Sequence, residues 1–218
     1  MTSSFSEQSF AFLMYPGFEE LDLIGPWEMA TMWSAYADGP ACFTLSQTGE
    51  PITCAKGLKV TPDYSFATAP DFDYLMVPGG FAALEEMKNQ AMNDFLADAA
   101  SRAESVLSVC TGSLMLYAAG LLNGKKATTH WKMLPEMKAL DGVEVVEQRY
   151  VHDGAIWTSA GVSAGIDMTL AFVADMAGEA AASIVQHNAE YYPDPVRYGG
   201  EAAADTSPAY VRALVAAE

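Results

Sequence analysis

Cys110 ends the run Ser105-Val106-Leu107-Ser108-Val109 and is followed at once by Thr111-Gly112-Ser113 and a helical pattern over 114–119. A thiol on such a strand-to-helix turn is placed to act as a nucleophile. The first turn of a helix carries unpaired amides and a positive dipole end, which favour thiolate and lower a cysteine pKa. The same amides could stabilise an anion forming on a bound molecule. The opposing reading is a small apolar residue filling a gap beneath a sheet. The turn alone leaves both open.

The elements around this turn are legible as alternating strands and helices. The near-continuous apolar stretches 10–15, 73–77 and 105–109 read as strands buried on both faces of a parallel sheet, with 42–46 as a further strand. Residues 21–36 have helical character, with Pro26 expected in the first turn. Residues 84–103, 131–140, 163–177 and 179–191 read as further helices, and 126–129 and 143–146 as short strands. Ala55-Lys56-Gly57 and Asp153-Gly154 mark two hairpins. This alternation implies an α/β fold with a mostly parallel central sheet covered on both faces. Ligands of such sheets bind outside the carboxyl ends of the strands. Asp22, Gly79-Gly80 and Cys110-Thr111 each follow a strand, so all three are expected at one crevice.

Composition narrows the function. The chain has 218 residues, 51% hydrophobic and 18% charged, enough apolar mass for one large core. Residues 1–195 read as that domain and 196–218 as a C-terminal tail with a short helix from 208. Acidic residues outnumber basic ones by 28 to 11, a formal charge of −17, and the cations are scattered. Nucleic-acid binding is disfavoured, as are anionic substrates. Three cysteines without a C-x-x-C pair argue against a disulfide framework and a cysteine zinc site. With no signal-peptide pattern and no apolar window of spanning length, the expected setting is the cytoplasm, away from membranes. The widely spaced His130, His152 and His187 give a metal site no support. Cys42 and Cys54 read as core fillers, and Trp27, Trp33, Trp131 and Trp157 as core or as walls of an apolar pocket.

Four blocks in order carry a family resemblance: Pro78-Gly79-Gly80; Val109-Cys110-Thr111-Gly112-Ser113; Ala127-Thr128-Thr129-His130-Trp131; and Ser159-Ala160-Gly161-Val162-Ser163-Ala164-Gly165-Ile166-Asp167. Together they resemble the DJ-1/PfpI superfamily over about residues 10–195. The resemblance implies a flavodoxin-like three-layer sandwich with a nucleophile-elbow cysteine, a homodimer, and no cofactor. PfpI-type proteases carry His after the cysteine, where this chain has Thr111, so the protease base is missing. Class I glutamine amidotransferases pair the cysteine with a late His and Glu; His187 and Glu190 have suitable spacing but lie in a helical, Tyr-flanked context and are set aside.

Leu21-Asp22-Leu23-Ile24-Gly25-Pro26 is similar to the block of the isonitrile-hydrating branch. That similarity implies water addition to an uncharged isonitrile, giving an N-substituted formamide. Cys110 would be the nucleophile, forming a thioimidate, and Asp22 the general acid and then base. Thr111 and the Gly79 and Gly80 amides would meet developing charge, and His130 would shape the pocket. Each role has a plainer counterpart: Asp22 as a helix cap, Thr111 as a helix-start residue, His130 as packing beside Trp131. Two other functions stay open, a non-catalytic ligand or redox sensor and a glyoxalase or deglycase-like activity.

Overall fold

The computed structural model describes residues 5–194 and 204–216. In chain order the elements are β1 (Ser9–Met14), α1 (Glu20–Tyr36), β2 (Ala41–Ser46), β3 (Ile52–Thr53), β4 (Lys59–Val60), β5 (Tyr64–Ser65), β6 (Tyr74–Val77), α2 (Ala83–Glu86), α3 (Gln90–Arg102), β7 (Ser105–Val109) and α4 (Gly112–Ala118). They continue with β8 (Lys125–Ala127), α5 (Leu134–Lys138), β9 (Val143–Val145), β10 (Tyr150–Asp153), β11 (Ile156–Ser159), α6 (Ala164–Ala177), α7 (Glu179–Asn188) and α8 (Ala209–Ala216).

The apolar runs become the centre of a 7-stranded sheet of order β10-β11-β7-β6-β1-β2-β5, parallel throughout except for the β10 edge. Phe10, Phe12, Leu13, Leu75, Met76 and Leu107 are wholly buried, because helices cover both faces. The result is a flavodoxin-like three-layer sandwich. On the face covered by α1 and α6, Phe10, Trp33, Tyr74 and Phe172 form a ring cluster with centroids 5.2–6.5 Å apart. Trp33 and Trp157 are core residues, Trp27 packs edge-on against Phe12, and Trp131 is exposed. The chain leaves β1 for β2 on one side, while β6 lies on the other. The strand order therefore switches at β1/β6, and a crevice opens there at the carboxyl ends.

Several expected bounds are corrected. Pro26 lies well inside α1 rather than in its first turn. Its ring is buried close to Gly165 of α6, where a Cβ would come within 2.9 Å of it; that packing offsets the lost helix hydrogen bond. Residues 84–103 form two helices, since Asn89 is extended and its side chain accepts from the Met92 amide (3.3 Å), capping α3. Over 131–140, Pro135 starts a new helix, so a 3₁₀ turn, Trp131–Met133, precedes the short α5. The helix expected to reach Tyr191 stops at Asn188. β8 pairs with β9 as a separate parallel pair off the main sheet. The expected 195/196 boundary falls outside the described residues. No helix among the described residues is long and apolar enough to cross a membrane.

Candidate active site

Cys110 has φ 58°, a left-handed conformation that a non-glycine residue adopts at a cost of about 1–3 kcal/mol. Its surroundings hold it there. The Cys110 amide donates to both the Ser159 and Ala160 carbonyls (3.2 Å each). Its carbonyl accepts from the Ser113 and Thr129 hydroxyls (3.0 Å each). At Gly112 a Cβ would sit 2.5 Å from the Val77 carbonyl oxygen, so α4 can begin this close to β6 only with glycine. Four hydrogen bonds and one glycine thus fix the backbone that presents the thiol.

The three turns expected at one crevice do meet. Asp22, in the first turn of α1 and wholly buried, accepts through Oδ2 from the Gly79 amide (2.9 Å). It is not the helix cap: Glu19 holds that position and no side chain caps it. The Asp22 carboxyl and the Cys110 thiol lie close enough for each to shift the other's pKa, while Oδ1 is buried with no hydrogen-bond partner. Gly79 must be glycine, because a Cβ there would meet the Thr111 amide at 2.5 Å and Asp22 Oδ2 at 2.9 Å. Thr111 Oγ1 accepts from the Gly80 amide and donates to the Gly80 carbonyl (2.8 Å each). Tyr15 Oη donates to the Pro78 and Gly79 carbonyls (2.9 Å each) and steadies the same loop.

These bonds reassign the two glycine amides. Both are spent within the protein, one orienting Asp22 and the other Thr111, and neither is free for developing charge. Burial pushes the Asp22 carboxyl up to about 7. Burial, together with the neighbouring carboxylate, also pushes the Cys110 thiol up, to about 12. The expected lowering of the thiol pKa is therefore corrected. The Thr111 amide does favour thiolate, but α4 has only seven residues, and desolvation outweighs it.

A cavity of about 100 Å³ opens over Cys110 and Thr111. Phe81, Leu84, Met133 and Val162 give it apolar walls; Glu19 and Lys132 stand at its rim with the His130 ring. His130 Nδ1 accepts from the Lys132 amide (3.2 Å), and burial lowers its pKa, so its ring is neutral at pH 7. Sequence reasoning missed Tyr15, Glu19 and all four apolar walls. Tyr15 and Glu19 had a usable signal, since they follow β1 just before Asp22; the walls had none. Among the described residues no group of three or more His, Cys, Asp or Glu could hold a metal ion. His187 and Glu190 lie at the end of α7 and do not line the cavity.

A strained cysteine at the carboxyl edge of a parallel α/β sandwich, with a buried carboxyl against its sulfur, defines a class of cysteine-centred α/β proteins. The chain belongs to the DJ-1/PfpI family, whose model matches residues 8–175. It is 37% identical over 203 residues to the isonitrile hydratase of Pseudomonas putida, covering 92% of this chain and 85% of that protein. A deglycase of Pyrococcus horikoshii is 30% identical over 157 residues, covering 71% of this chain and 90% of that one. Among solved structures, a ThiJ/PfpI family protein from Pseudomonas syringae superimposes with a TM-score of 0.82 at 36% identity, over 95% of this chain and 84% of that one.

Proposed function

We propose that this protein is a cysteine-dependent hydro-lyase that adds water to an isonitrile and releases an N-substituted formamide. The observation that carries the reading is the Asp22–Cys110 pair, two buried acids close enough to raise each other's cost of ionising beside an apolar cavity. The hydratase relative points the same way.

Above pH about 7 the pair retains a single proton, and at rest it lies on sulfur rather than on the carboxyl. An isonitrile accepts a nucleophile and a proton at the same terminal carbon. As Sγ bonds to that carbon, the thiol proton passes through the Asp22 carboxyl to it, giving the thioimidate R–N=CH–S–Cys110 without net charge. Asp22, again a carboxylate, takes a proton from water as its oxygen adds to the thioimidate carbon, and nitrogen receives that proton. The C–S bond then breaks, the hydroxyl proton returns to sulfur through Asp22, and R–NH–CHO leaves. The Thr111 amide steadies the departing sulfur. No cofactor enters the cycle.

The test follows formyl-proton appearance and loss of the N≡C stretch with a panel of alkyl isonitriles. Formamide is expected from the wild type and none from Cys110→Ala; no turnover across the panel would sink the reading. The deglycase relative supports a second reading, which would win if lactate formed from methylglyoxal faster than any isonitrile reacted. We also read the protein as a cytoplasmic homodimer. Its three cysteines are free thiols, which suits a reducing compartment. Leu21 and Ile24 of α1 are exposed apolar side chains, and a second copy would cover them. Sedimentation at the mass of one chain would remove the dimer.

A further inference from the structure

Phe81 is 85% exposed, the most exposed large apolar side chain among the described residues, and it stands at the mouth of the cavity over Cys110. Its backbone is nevertheless firmly held. Gly80, just before it, is bound through both its amide and its carbonyl by the Thr111 hydroxyl. Ala83, two residues on, is wholly buried, and the Ala83 and Leu84 amides donate to the Gly80 and Phe81 carbonyls at 3.1 and 3.2 Å. An apolar ring in water on an anchored turn gains nothing for folding, since its burial would be worth about 1.5–3 kcal/mol and is forgone. The same threonine that contacts the Cys110 sulfur also fixes where this ring stands.

The cavity is too small to enclose a bulky substrate. At about 100 Å³ it lies well below the roughly 300–1,000 Å³ of sites that enclose drug-sized ligands. It can take a reacting head group, and any larger substituent must extend out of it toward solvent, where Phe81 is exposed. We propose that Phe81 determines specificity by providing the apolar surface on which the substrate's aliphatic or aromatic substituent lies while the reacting carbon meets Cys110. This deepens the isonitrile reading and rests on it for the identity of the head group.

The experiment compares methyl and cyclohexyl isonitrile. For the wild type, kcat/KM is expected to favour the cyclohexyl compound by about tenfold, the scale of a modest apolar contact. Phe81→Ala should remove that preference through KM, with the cyclohexyl compound losing about tenfold more than methyl isonitrile, and Phe81→Leu should restore most of it. Equal losses on both substrates, or no loss on either, would overturn the proposal. So would conversion of a dimer to monomer by Phe81→Ala in sedimentation, which would give the ring to a protein interface. Calorimetric binding of both compounds to Cys110→Ser, with and without Phe81→Ala, separates this inference from the reaction. Preferential cyclohexyl binding that depends on Phe81, with no turnover by the wild type, would sink the hydratase reading and keep this one; no binding preference would sink this one.

Discussion

The two edges of the central sheet treat buried polar groups in opposite ways. At the amino edge, Gln8, Tyr74 and Glu104 satisfy one another: the Tyr74 hydroxyl bonds Gln8 Oε1 at 2.7 Å, and Gln8 Nε2 donates to Glu104 Oε2 at 3.2 Å. The one charge in that set, on Glu104, stays exposed to water. At the carboxyl edge Asp22 is wholly buried, with one oxygen on an amide and the other without a hydrogen-bond partner, beside a thiol. The first arrangement stabilises the sheet. The second costs stability, because a carboxylate is held out of water without a cation. On the proposed reading, the second arrangement is the one that exchanges protons with a substrate.

The largest expected effect at the carboxyl edge is on rate. Asp22→Asn preserves the shape and the bond to Gly79 but removes the proposed proton carrier, so formamide production should fall by about 10²–10⁴-fold. A fall of less than about threefold would break the contrast by making Asp22 as structural as Gln8. The same variant should be more stable than wild type at pH 8 and equal to it near pH 4. The folded-state carboxyl titrates near 7 against 3.8 for the model group, so between those values the native state binds more protons and stability falls as pH rises. The penalty, complete above pH 7, is at most roughly 4 kcal/mol. Parallel denaturation curves for the two proteins from pH 4 to 8 would refute it.

The pH dependence of kcat/KM sharpens the same point. On the proposed mechanism the pair works with one proton, so the rate should rise as Asp22 loses its own near pH 7, and Asp22→Asn should lack that limb. Next in size is Gly79→Ala, whose Cβ would collide with the Thr111 amide and Asp22. A loss of about 1–3 kcal/mol in thermal unfolding is expected, together with a fall in kcat. The smallest effect belongs to the amino edge. Tyr74→Phe should cost about 1 kcal/mol of stability and leave formamide production unchanged; a drop in rate would mean that the two edges are not independent.

Much of this arrangement was legible in the sequence, for identifiable reasons. Strands buried on both faces announce themselves as unbroken apolar runs, so β1, β6 and β7 were readable, and with them the turns that carry Asp22, Gly79 and Cys110. The break between α2 and α3 was not, because Asn89 fits a helical pattern until its cap bond to Met92 is seen. Nor was the true work of the Gly79 amide, whose partner Asp22 lies 57 residues away. The expected thiolate failed for a related reason. A helix start is a local signal, whereas desolvation depends on every chain segment packed around the sulfur.

The sequence by itself determined the α/β order, the parallel core and the meeting of a cysteine, an acid and a glycine loop at one sheet edge, since each follows from local periodicity and the direction of parallel strands. Only the tertiary structure decided that burial raises both the Cys110 thiol and the Asp22 carboxyl, that both glycine amides are spent inside the protein, and that Phe81 stands in water over the cavity. Those outcomes depend on burial and on distances between segments far apart in the chain, and both exist only once the sheet and its helices have packed.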